Sequence, residues 1–375
     1  MSNLDLRNIL NNMIEWAPND RKSDKLDREN YVPLGISFNY KNGLSVKKED
    51  FFAMMAFIKE RLSDEQSSLT DSFIRKKITN FLFEAYIDEP TITIEELLSI
   101  FSVLKRTKVD IFVKMFNLQI DVGEYDGGSF VLYNPVYFVE KYKNNLMYKN
   151  IHEKNRVHPD TIAHVGLVFK DVEIFQEDEE RLNSIIQEKI GEFISVMGIA
   201  FGSKEKSQML TANFNHIGME YHLLDKDMIE IHSNYSSTGS TYLKGCIDLK
   251  TEHFFANHQR LFKLLEKHDN ELKEKLYKSI LWLGKSLLTE NIGDSFLQVS
   301  IALECLLTRQ TKGYYINPSI SNSLSETLAF LIADTKEDRI NNFKTIKKFY
   351  ELRSSIVHSG RSEIKISQYY EFFQE

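Results

Sequence analysis

The sequence predicts an α+β region over residues 1–250 followed by an all-α helical bundle over residues 254–375. Two observations carry that division. Before residue 250, runs rich in β-branched and aromatic residues alternate with stretches of helical period. From residue 254 the apolar residues recur at three- and four-residue spacing in one segment after another. Within the second region Lys336 to Lys365 carries eight basic residues against four acidic ones, +4 within a chain of net charge −7, which reads as a solvated helix face or, less commonly, a place to attract a polyanion.

In the first region, helices are expected over residues 4–16, 49–64, 69–87 and 94–106. The last opens with Thr93 and has Glu96 three positions on, the pattern of a capping box. The stretches "VDIFVKMFNLQIDV" and "SFVLYNPVYFVEKY" read as strands flanking "GEYDGG". Their glycines allow positive φ, so a hairpin is expected around Asp126-Gly127-Gly128. "TIAHVGLVFKDVEIF" reads as a further strand, and "EDEERLNSIIQEKIGEFISVMGIAFG" as a helix whose acidic first turn suits its dipole. "LTANFNHIGMEYHLLDKDMIEIHS" returns to strand character.

In the second region, "FFANHQRLFKLLEKH" and "NELKEKLYKSILWLGKSLLTEN" have helical spacing, with Leu272, Leu276, Ile280, Leu283 and Leu287 on one stripe. "DSFLQVSIALECLLTRQ" is apolar nearly all round. After the turn-rich "TKGYYINPSISNS", a helix near residues 323–334 precedes the longest one, "KEDRINNFKTIKKFYELRSSIVHSG", with Gly360 as its expected C-terminal cap.

Composition bounds the function. With 42% hydrophobic and 27% charged residues, 375 residues suit a folded chain rather than a disordered one. Nowhere do about 18 apolar residues run together, so no membrane segment is expected and a cytoplasmic protein is. The only cysteines, Cys246 and Cys305, form no CxxC pair. Neither a disulfide, a metal nor a cofactor is predicted. His216, His222 and His232 follow no metal-ligand spacing, and "EYDGGS" lacks the lysine of a phosphate-binding loop. Tyr314 and Tyr315, beside Lys312, read as loop residues that pack on the bundle, with stacking on RNA bases the lesser alternative.

The chemistry-bearing stretch is "FYELRSSIVHSG", residues 349–360. At 100° per residue, Ile346, Phe349, Tyr350, Ile356 and Val357 form one apolar stripe with Arg353 near its centre. A guanidinium cannot shed its proton there, so an anion must meet it, either a carboxylate of the protein or a phosphate from outside. In "VSIALECLL" only Ser300 and Glu304 are polar, which makes Glu304 the expected carboxylate. His358 falls in the last turn, where helix carbonyls favour a positive charge, and imidazole is the side chain suited to moving protons near neutral pH. Arg353 and His358 lie about 140° apart around an ideal helix and ~7.5 Å along it, so one copy makes no compact pocket. Two copies about a two-fold axis can.

The R-x4-H spacing of Arg353 and His358, with "SFLQVSIALECLL" and "KLYKSILWLGKSLL" before it, resembles the HEPN (higher eukaryotes and prokaryotes nucleotide-binding) superfamily. It is most similar to the Apea-like branch, where alE-(few)-L and Y-x-x-R-S-x-x-x-H occur in this order. The resemblance covers residues 254–375. It implies a four- to five-helix bundle that forms a homodimer, and a metal-independent endoribonuclease at the pair's interface. Arg353 would bind and polarise the scissile phosphate. His358 would act as general acid or base while the 2′-hydroxyl attacks, leaving a 2′,3′-cyclic phosphate. Ser354 would support them by hydrogen bonding, and Glu304 would orient Arg353. Many members carry Asn, Asp or His after the arginine, where this chain has Ser354. The branch is often found in anti-phage or abortive-infection toxins, which would make residues 1–250 a sensing or regulatory region for an unidentified trigger. The alternative is a non-catalytic HEPN module for dimerisation or RNA binding, with Arg353–Glu304 as a structural bridge.

Overall fold

The computed structural model describes residues 6–16, 30–36, 43–87, 93–116, 118–142, 164–202, 221–226, 230–234, 247–266, 270–289, 291–307 and 320–359. The chain divides into two units, residues 1–108 with 172–187 and residues 109–171 with 188–375. An α+β mixture before residue 250 gives way to helices after it.

In the first unit, α1 (Leu6–Asn11) leads into β1 (Ile14–Trp16), and β2 (Tyr31–Ile36) and β3 (Gly43–Lys47) complete an antiparallel sheet ordered β1-β3-β2. The expected single helix over 4–16 is therefore a short helix and a strand. Trp16 pairs with Gly43, a partner too distant in sequence for local periodicity to show. Helices α2 (Lys48–Lys59), α3 (Asp71–Ile87) and α4 (Ile94–Ser102) close over a core that includes Val46, Phe51, Met54, Ile78, Leu82 and Phe101. The capping box on α4 is complete. Thr93 N donates to Glu96 Oε2 at 2.8 Å and Glu96 N to Thr93 Oγ1 at 3.2 Å. Asp178, fully buried, accepts from Thr70 N and Thr70 Oγ1 at 2.8 Å each, and from Arg181 N at 3.0 Å. One carboxylate thus closes the start of α3 and the start of the next long helix.

In the second unit, β4 (Thr107–Phe116), β6 (Glu124–Asp126), β7 (Phe130–Tyr133), β8 (His164–Ile174), β9 (Tyr221–Leu224) and β10 (Glu230–Asn234) form a sheet ordered β10-β9-β4-β8-β7-β6. β5 (Leu118–Ile120) pairs in parallel with β11 (Ile247–Leu249). The hairpin is present where expected: β6 pairs antiparallel with β7, Gly128 has φ +89°, and its N–H donates to Asp126 Oδ1 at 2.9 Å. Strand character ends sooner than expected after it. Pro135 opens the helix α5 (Pro135–Lys141), with the Asn134 side chain capping Val136 N at 3.0 Å.

Alternation across β7 serves two cores. Val131 and Tyr133 pack with Phe112, Phe138 and Val168. Phe130 points the other way, edge-on to Phe193 of α6 (Glu179–Phe201) at 4.9 Å and beside Phe255 and Phe262. The last two belong to α7 (Thr251–Asn257) and α8 (Gln259–Phe262).

The helical segment then runs through α9 (Glu271–Leu288), α10 (Ile292–Leu307), α11 (Ile320–Ile332) and α12 (Lys336–Ser359). On α9 the expected stripe is only partly packed: Ile280 and Leu287 are half-buried, whereas Leu272 is 68% exposed, and Leu276 and Leu283 are 36% exposed. The helix instead buries its small residues Ser279, Gly284 and Ser286. A Cβ at Gly284 would lie 2.5 Å from the Ser195 carbonyl oxygen and 2.6 Å from its Cα, so α6 and α9 meet backbone to backbone there. Nearby, buried Glu192 of α6 accepts from the Tyr277 hydroxyl of α9 and from Lys189 Nζ. Burial, together with that bond to a carboxylate, pushes the Tyr277 phenol well up.

Candidate functional site

α12 is continuous because nothing between Lys336 and Ser359 interrupts it: no glycine or proline occurs there. Its start is fixed by Thr335, whose Oγ1 accepts from Asp338 N at 3.1 Å, with Glu337 and Asp338 in the positive first turn. The apolar stripe does what its spacing predicts at most positions. Phe349, Tyr350 and Ile356 are buried against Phe296, Val299 and Leu324, with Ile346 partly covered. Val357 departs from it at 48% exposure, one residue before His358.

Arg353 reaches Glu304 of α10, with Nε 3.6 Å from Oε1. The expected pair is thus present, but the gap is too long for a hydrogen bond. The Arg353 side chain is 32% exposed and that of Glu304 is 23% exposed. Nε itself is buried and has no hydrogen-bond partner, so the solvent-facing part of the arginine lies beyond it. One edge of the guanidinium turns to the carboxylate while another part stays open.

Tyr350, one turn before Arg353 and expected only as part of the apolar stripe, adds a hydroxyl beside the pair. It is 5% exposed and its hydroxyl also lacks a hydrogen-bond partner. Burial raises its pKa, the Glu304 carboxylate adds to that, and Arg353 offsets part of it. Two buried donors therefore border one carboxylate. The available signal was the i, i+3 spacing of Tyr350 and Arg353, which puts both on the packed side of the helix. Cys305, the residue after Glu304, has its thiol pushed up by burial, which Lys278 partly offsets while Glu304 adds a smaller push.

The other two residues singled out in the sequence lie elsewhere on the helix. Ser354 and His358 are exposed. The structure brings Arg353 and Glu304 together in one chain and leaves His358 about 140° around α12 from the arginine, as its five-residue spacing requires. His222 is buried on β9 with its ring edge-on to Phe112 at 5.7 Å. His232 sits on β10, half-buried. Among the described residues no group of three side chains could hold a metal. His216, Cys246, Lys312, Tyr314, Tyr315 and Gly360 lie outside the described residues. Among the described residues no helix is long and apolar enough to cross a membrane.

Chemically, the arrangement offers a cation about one-third exposed and paired with a carboxylate, about a turn and a half before an imidazole near the end of the same helix. Comparison with known proteins finds no matching family model, no matching curated protein and no matching solved structure.

Proposed function

We propose that the chain is a metal-independent endoribonuclease of the HEPN type, active as a homodimer through its helical segment. The observation that supports it most is the half-open Arg353. A guanidinium needed only to neutralise Glu304 would be expected to close a hydrogen bond with it, whereas this one keeps 3.6 Å from the carboxylate and remains 32% exposed. Such a cation can still take a phosphate, and Glu304 limits how it turns.

In this reading Arg353 of one protomer and His358 of its partner flank one phosphate. Exposed Val357, beside the histidine, provides apolar surface for a second copy to cover. The arginine stabilises charge on the phosphate while the histidine moves a proton as the 2′-hydroxyl attacks. Ser354, on the exposed side, is a supporting hydrogen-bond donor. A toxic activity of this kind suits an antiviral, abortive-infection effector in the cytoplasm, restrained by the first region until a trigger binds.

The ion pair also favours a second reading, a non-catalytic dimerisation or RNA-binding module in which Arg353–Glu304 is a bridge and no more. Purified wild type, Arg353→Ala and His358→Ala incubated with single-stranded RNA separate the two. The nuclease reading expects cleavage by the wild type alone; equal behaviour of all three removes the catalytic assignment.

A further inference from the structure

The basic run on α12 is used neither by the bundle core nor by the Arg353–Glu304 pair. At 100° per residue, Lys336, Lys344, Lys347, Lys348, Ser354 and His358 share about 120° of arc. All six are exposed. None of the four lysines forms an ion pair with another described residue, whereas Lys275 and Lys278 of α9 each meet a glutamate one turn earlier at 2.7 Å. Glu337 and Glu351 lie in the same arc, so the face carries four lysines against two glutamates. From Lys336 to His358 it extends ~33 Å along the helix.

An exposed aromatic ring on the preceding helix meets α12 near its start, about 60° around from the edge of this face. Phe330, 61% exposed, carries the Arg339 guanidinium over its ring at 4.8 Å. Arg339 Nε donates to the Ala333 carbonyl at 3.0 Å, which holds the guanidinium in place. A ring and a planar cation at the surface form a platform on which an unpaired base can stack.

We infer that this face of α12 is a track for single-stranded RNA: the lysines meet successive phosphates, Phe330 with Arg339 takes a base at one end, and His358 stands at the other. Lysines along one helix face can follow one backbone, and the exposed ring needs a base that is not already stacked in a duplex. The choice of RNA over single-stranded DNA rests on the nuclease reading. The track itself rests on charge and exposure.

The test uses the full chain and a short fluorescent single-stranded oligonucleotide with 2′-O-methyl groups, which blocks the attacking oxygen so that binding is read without cleavage. Affinity is measured from low to high salt. Neutralising three lysines together (Lys344→Gln, Lys347→Gln, Lys348→Gln) should lower the slope of log K against log salt by about 2, and affinity at 0.1 M salt by up to ~100-fold. Phe330→Ala should weaken binding by roughly 5- to 100-fold and leave the slope unchanged. Glutamine is as good a helix former as lysine, and circular dichroism checks that the fold is retained. A wild type that does not bind the oligonucleotide, or a triple variant that binds it as the wild type does, overturns the track. Cleavage of unmodified RNA is scored separately: wild type that cuts while the triple variant binds normally sinks the track and spares the nuclease. Binding with the expected slopes but no cleavage does the reverse.

Discussion

Replacing Gly284 with alanine tests the close approach of α9 to α6. The added Cβ would stand 2.5 Å from the Ser195 carbonyl oxygen and 2.6 Å from its Cα. Ordinary carbon contacts are ~3.5–4.0 Å, so α9 must move from α6 by about 1 Å. Alanine is a better helix former by about 1 kcal/mol, which opposes the effect. Overpacking a tight site costs about 1–3 kcal/mol, and here the obstacle is backbone, which cannot swing aside. That places the cost in the upper half of the range, so the net expectation is a loss of about 1–2 kcal/mol, or a melting temperature lower by about 2–8 °C. Trp282 lies two residues from the substitution and Trp16 is the only other tryptophan, so fluorescence in a Trp16→Phe background reports this helix. Ser195→Gly should not rescue the variant, because the carbonyl and Cα remain. A Gly284→Ala protein that melts at or above the parent temperature would refute the close packing.

Asp178→Ala should cost about 2–4 kcal/mol in urea unfolding, since it removes a helix cap and leaves buried donors of Thr70 unmatched. Little or no change would mean that those hydrogen bonds do not persist in solution. The Thr251 N–H holds the Asp121 carboxyl below its ordinary value. Its contribution is therefore complete above the unfolded carboxyl value of about 4 and fades as pH falls through the lowered one. Asp121→Asn should flatten the acid limb of the stability curve below pH ~4, and an unaltered limb would contradict the assignment. Tyr350→Phe keeps the ring and deletes a buried hydroxyl without a partner, so stability should hold or rise by up to about 1 kcal/mol. A clear loss would show that the hydroxyl is bonded in solution.

What could be read in advance was whatever one segment determines by itself. Thr93 and Glu96 close their own box, Asp126 to Gly128 make their own turn, and the long periodic helices stand where their spacing puts them. The Glu304–Arg353 pair followed from charge in apolar surroundings, because only a few groups can satisfy a buried cation. Segments whose fate depends on a distant partner were read less well. Residues 14–16 become a strand because β3 supplies hydrogen bonds, and Leu272, Leu276 and Leu283 stay exposed while α9 meets α6 closely at Gly284. Asn134-Pro135 is a legible helix start that the surrounding β-branched and aromatic residues obscured. The unmatched Tyr350 hydroxyl needs three-dimensional packing to be seen at all.

The central claim is that Arg353 and His358 act together on one RNA phosphate. The most direct measurement is product analysis, by mass spectrometry, of single-stranded RNA treated with wild type, each single alanine variant and the double variant, all with a chelator present. The account predicts fragments ending in 2′,3′-cyclic phosphate from the wild type, a loss of about 100-fold or more for each single change, and little further loss for the double. Cleavage that survives both substitutions, or that the chelator abolishes, would contradict it.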